Sequence, residues 1–173
     1  MLKETKTIAN QAEMDALLES GKDLSETILR IGSDASIVNV GSQPIYCVEL
    51  AGYLNLNRDA NVKTIDVMGE GKLVAEYHDN VIRGFGNARV TATSCGDVRG
   101  YGTSEIDCEL GTRVSLYGRA HAKVAHAAIA KAYDNSRVTV DAGGIAYIYD
   151  SATAERVDPT RGKIIQISNR GYR

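Results

Sequence analysis

The sequence predicts an all-β chain wound as a parallel β-solenoid with 16-residue coils, two octads per coil, preceded by a short N-terminal capping α-helix. Three observations carry this. Phe85, Tyr101, Tyr117, Tyr133 and Tyr149 recur every sixteen residues, each followed by a glycine or aspartate: Gly86, Gly102, Gly118, Asp134 and Asp150. Ten octads from Asp79 to Asp158 stay in one frame, and their fourth place is always aliphatic, from Ile82 and Val90 through Val138 to Ala146 and Ala154. The fifth place is mostly polar and the sixth mostly apolar, which is strand alternation leading into a short corner.

The elements follow in order. Asn10 with Glu13 three residues on reads as a capping box, and Met14, Leu17 and Leu18 form one apolar face before Gly21. These residues predict a helix at about 11–20, and Ile28–Ile31 predicts a strand after it. A solenoid end exposes strand edges and apolar interior, so the helix is expected to fold over the first coil. Octad-like segments at 34–41, 51–58 and 59–66 continue the pattern, but Val67–Glu70 shifts the phase by four, so wider or irregular coils are expected there. Arg119–Ala132 is alanine-rich and by propensity favours helix. The octad frame passes through it unbroken, which favours strand. Lys163–Ser168 reads as a final strand with nothing to cover its edge. The boundaries are a cap at 1–33, a solenoid at 34–168 and a polar tail at 169–173, all within one domain of 173 residues.

A formal charge of −2 gives no global field for nucleic acid or anionic membrane. No long apolar run predicts a membrane span, no hydrophobic segment near Met1 predicts a secretory leader, and cytoplasmic residence is expected. Cys47, Cys95 and Cys108 form no metal or disulfide pattern. Cys108 sits at an inward sixth place and reads as a buried thiol, whereas Cys95 sits at a corner-like first place and reads as exposed. His121 and His126 share a block, with His78 placed 48 residues before His126 in the same column, and Glu105, Asp107 and Glu109 alternate along one strand. Solvated surface groups explain both sets better than a metal or catalytic site, and no cofactor is expected. The glycines have no strand-to-helix context for a phosphate loop.

The fifth place of the aromatic half reads Arg83, Arg99, Ser115, Lys131, Tyr147 and Lys163. Its basic members form a stripe suited to an acidic protein face or, less favoured, a nucleic acid. The aromatic column beside it is expected to be partly exposed. Partner contacts are therefore expected at Arg83, Arg99, Lys131 and Lys163 and at Tyr101, Tyr117, Tyr133 and Tyr149.

The segments RVTATS, DVRGYG, RVSLYG and RVTVDA resemble the repeats of short-coil β-solenoid (β-helix) proteins of phages and prophages, over roughly Asp79 to Asp158. That resemblance implies a stoichiometric antagonist of a host defence complex (anti-CRISPR-like), acting in the host cytoplasm. The coil stack is also similar to bactofilin-type filament proteins, from which the capping helix departs. The expected function is a non-enzymatic rigid binding protein that occludes or scaffolds a protein partner. The alternatives are a self-assembling filament or particle component, joined through the solenoid edge, and a β-helix carbohydrate-active enzyme. The last is disfavoured because short coils leave little loop to build a groove with clustered carboxylates.

Overall fold

A computed structural model describes residues 3–167. Two parallel sheets face each other across a narrow core and the chain alternates between them, one strand in each per coil. Sheet A holds ten strands: β1 (Glu4–Ile8), β2 (Thr27–Ile31), β4 (Pro44–Leu50), β6 (Asn61–Val67), β8 (Val81–Gly84), β10 (Asp97–Gly100), β12 (Arg113–Leu116), β14 (Ile129–Ala132), β16 (Ile145–Ile148) and β18 (Lys163–Gln166). Sheet B holds eight: β3 (Ser36–Ile37), β5 (Tyr53–Leu56), β7 (Lys72–Glu76), β9 (Arg89–Thr93), β11 (Glu105–Glu109), β13 (His121–Val124), β15 (Arg137–Val140) and β17 (Thr153–Arg156). The predicted β-solenoid is the fold observed.

Register follows the repeat. Val98 pairs with Ile82 and Val114, and Ala130 with Val114 and Ala146, each sixteen residues apart. The alanine-rich segment forms β13 and β14, so the inward pattern overrides helix propensity. Before β8 the rungs widen as expected, with Asp66 opposite Arg83 at seventeen residues and Tyr53 opposite Lys72 at nineteen. After β17 a six-residue turn, 157–162, replaces the four-residue corner at 141–144. It sets Lys163 opposite Ile145 and Ile165 opposite Tyr147. Lys163 is therefore not in the fifth-place column, contrary to the expectation from strict octads. Ser168 and the tail at 169–173 lie outside the described residues.

The core is a stack of small and aliphatic side chains. Places two, four and six of most octads point inward, and Ala120, Ala122 and Val124 are all fully buried. Large and small residues compensate between rungs: a Cβ on Gly100 would stand 2.7 Å from Ile106 Cδ1 and 3.0 Å from Leu116 Cδ2. The corners explain the Gly/Asp partner of each aromatic. Gly86, Gly102, Gly118, Asp134 and Asp150 all have positive φ, between 51° and 71°. This is the left-handed region, where glycine carries no Cβ penalty and aspartate is among the residues tolerated.

Helix α1 (Gln11–Glu19) forms as predicted. Asn10 Oδ1 accepts from the N–H of Glu13 at 3.0 Å, and Glu13 Oε2 accepts in return from the N–H of Ala9 at 2.9 Å. The helix packs against β1 of sheet A and against β3, the edge strand of sheet B. Gln11 Oε1 accepts from the N–H groups of Val38 and Asn39, and its Nε2 donates to the Asn39 carbonyl, satisfying the backbone just beyond the edge strand β3. Leu18 closes over Gly41, where a Cβ would stand 2.8 Å from Leu18 Cδ2. Sheet A is extended by β1, a strand the sequence reading does not anticipate, which pairs with β2 from Glu4 opposite Thr27 to Ile8 opposite Ile31.

Candidate partner-binding face

The outer face of sheet A presents three columns, because places three, five and seven of the aromatic octad alternate away from the core. Place three reads Val81, Asp97, Arg113, Ile129 and Ile145, and place five reads Arg83, Arg99, Ser115, Lys131 and Tyr147. Place seven is the aromatic ladder.

In that ladder, Phe85, Tyr101, Tyr117, Tyr133 and Tyr149 stack with centroids 5.1, 5.2, 5.2 and 4.7 Å apart and interplanar angles of 6–14°. All five are half-buried, as expected. Their backbones hold them there: the N–H of Tyr101 donates to Gly84 O at 2.8 Å and that of Tyr117 to Gly100 O at 2.9 Å. Each inner ring spends both π-faces on its neighbours, so the ladder offers ring edges and hydroxyls outward. Burial, with Tyr149 and Tyr117 beside it, raises the pKa of Tyr133 and keeps that phenol protonated. Tyr101, Tyr117 and Tyr133 therefore have no free ring face on which bases could stack.

The basic stripe is largely neutralised from within. Arg83 donates to Asp66 through Nε at 2.6 Å and Nη2 at 2.7 Å, and Arg99 donates to Asp97 on its own strand through Nε at 3.1 Å and Nη2 at 2.6 Å. Those carboxylates, first by hydrogen bonding, hold both guanidinium groups further into the charged form. Lys131 differs: among the described residues it has no carboxylate partner, and neither does Arg113. Both line a groove of about 700 Å³ that also includes Asp97, already bonded to Arg99, with Ser115, Ile129, Tyr147 and Tyr149. Ser115, a small residue in this groove, stands in register between Arg99 and Lys131.

Of the residues expected to make contacts, the structure gathers Lys131 and Tyr149 in this groove and continues the ladder through Tyr133, Tyr117 and Tyr101. Arg83 and Arg99 lie on the same face with their charge committed, and Lys163 lies in another column. Arg113 and Ile129 were missed. Extending the alternation outward by one place would have found them.

The remaining candidates separate. His78 is buried, not in the column of His126: the seventeen-residue rung joining β7 and β9 puts Tyr77 there, next to Ser94. Desolvation lowers the pKa of His78. His126 Nδ1 stands 3.8 Å from Glu109 Oε2, Glu105 pairs with Arg89 at 3.2 Å, and Asp107 faces Lys123 across the rung. Glu105 and Asp107 thus lie beside cations, and no group of metal-ligating side chains occurs among the described residues. Cys108 is buried as expected, but so is Cys95, whose Sγ contacts the carbonyl oxygens of Ala75 at 3.5 Å and Thr93 at 3.6 Å. The first place turns inward at that corner, correcting the expectation of an exposed thiol. Cys47 is buried on the outer face of sheet A, where desolvation first and Asp66 and Glu49 second push its pKa up to about 11. No helix among the described residues is long and apolar enough to cross a membrane.

Comparison with protein-family models, curated proteins and solved structures gives no match for this chain.

Proposed function

We propose that this chain is a non-enzymatic binding protein whose rigid outer sheet A face docks an acidic protein surface and blocks it. The observation that carries the reading is the Arg113–Lys131 groove beside the tyrosine edge. Two cations without carboxylate partners, a hydroxyl at Ser115 and apolar surface from Ile129 and Tyr147 form a mixed patch of the kind that anchors protein interfaces. The mechanism is steric occlusion, with charge steering the encounter. The stacked coils give a pre-ordered platform, so little side-chain or loop entropy is lost on docking. Sequence resemblance to phage-type solenoids makes a host defence complex the proposed partner class and the host cytoplasm the proposed compartment.

Selection of a random peptide library against the immobilised protein tests the reading. Enrichment of sequences combining Asp or Glu with aliphatic residues, lost on the Arg113→Glu/Lys131→Glu variant, supports it. Enrichment that survives the double reversal contradicts it.

A second reading, self-assembly through the C-terminal rung, has one observation in its favour. The inward positions Ala154 and Ile164 are only partly buried, whereas Ala146 is fully buried. Light scattering over a concentration series separates the two, since a monodisperse species at high concentration excludes assembly.

A further inference from the structure

On the far side of the tyrosine corner, a second cleft of about 510 Å³ opens on sheet B, lined by Arg119, His121, Asn135 and Arg137. These four side chains rise from two successive rungs. His121 and Arg137 are partners in register, and Arg119 and Asn135 occupy the first place of the same two coils, sixteen residues apart. Their backbones are anchored, the N–H of Arg119 on Gly102 O at 2.8 Å and that of Asn135 on Gly118 O at 3.0 Å.

Neither arginine has a carboxylate partner among the described residues, in contrast to Arg89 further down the same column, which pairs with Glu105. Asp134, the carboxylate adjoining Asn135, instead accepts from the N–H of Gly118 at 2.9 Å. His121 is held in place: its Nε2 stands 2.9 Å from Thr139 Oγ1, which itself donates to Glu155 Oε1 at 3.4 Å. Having given its one proton to Glu155, the hydroxyl accepts from Nε2–H. Two guanidinium forks and an amide N–H₂ are thus uncommitted around one opening. A planar carboxylate is satisfied by a single fork, whereas a tetrahedral dianion can use both forks and the amide.

We propose that this cleft binds a phosphate or sulfate group, independently of the groove on sheet A. The test is an NMR titration of the full chain, following arginine Nε–H and asparagine side-chain signals, with inorganic phosphate, sulfate and acetate at constant ionic strength. Expected are saturable shifts confined to Arg119, Arg137 and Asn135 with phosphate and sulfate. Acetate should bind about tenfold more weakly, as should phosphate to Arg119→Gln/Arg137→Gln, the scale of one lost charged hydrogen bond. Arg113→Gln/Lys131→Gln should leave phosphate binding unchanged. A phosphoserine peptide distinguishes the sources: tighter binding than free phosphate assigns the group to a polymer, and equal binding to a free ion. Shifts that do not saturate, that spread over all arginines, that acetate reproduces equally, or that persist in Arg119→Gln/Arg137→Gln overturn the proposal.

Discussion

Arg83 grips Asp66 through two parallel hydrogen bonds across one rung of sheet A, at 2.6 and 2.7 Å. A residue that in sequence heads a basic stripe is therefore a structural ion pair, with the Asp66 side chain only 19 % exposed. Asp66→Asn or Arg83→Gln alone should each lower stability by about 1 kcal/mol. The double variant should lose less than the sum of the two, and neither change should alter partner binding more than marginally. Urea midpoints of the three variants measure this, and strict additivity would show that the pair is not coupled.

The stacked core makes glycine at position 100 a packing requirement. Gly100→Val should cost about 1–3 kcal/mol through overpacking against Ile106 and Leu116. Leu116→Ala in the same background should recover part of that loss, because it vacates the side on which the new methyl groups press. Thermal melts of the single and double variants give the sign of the coupling, and a double variant less stable than either single one would refute the packing argument.

His78 should make stability fall on mild acidification. Its folded pKa lies below the ordinary 6.5 because burial disfavours the imidazolium. Below pH 6.5 the unfolded chain therefore binds the proton more readily than the folded one, and stability drops as pH falls towards the folded pKa. Asp23, Asp141 and Asp158, lowered from 3.8 by hydrogen bonds to their carboxylates, act only below this window. Urea midpoints measured between pH 7.5 and 5.5 should slope downward in the wild type and flatten in His78→Leu. An equal slope in both would place the acid sensitivity elsewhere.

The coil was legible because a narrow stack imposes the same demand at each turn. Aliphatic residues at place four, an aromatic at place seven, and a glycine or aspartate where φ turns positive all repeat in the frame from Asp79. The site was legible only in part, since its charges depend on rungs outside that frame. Asp66 reaches Arg83 because the preceding coil is seventeen residues long, and Lys163 leaves the column because the turn at 157–162 is two residues longer than its counterpart. Asp97 shares a strand with Arg99, and reading places three and five together would have shown that pair. β1 was hidden because Glu4–Ile8 has only Ile8 buried and shows no strong apolar alternation. The corner at Cys95 was missed because octad position does not report which way a turn folds.

The most direct test of the central claim compares two charge changes on the same face. Binding of the selected acidic peptides should fall at least tenfold in Arg113→Glu/Lys131→Glu, where two cations without carboxylate partners are replaced by carboxylates that repel the ligand. It should change less than threefold in Arg83→Gln, whose charge Asp66 already balances. Equal losses, or no loss from the double reversal with the fold intact by circular dichroism, would contradict the account.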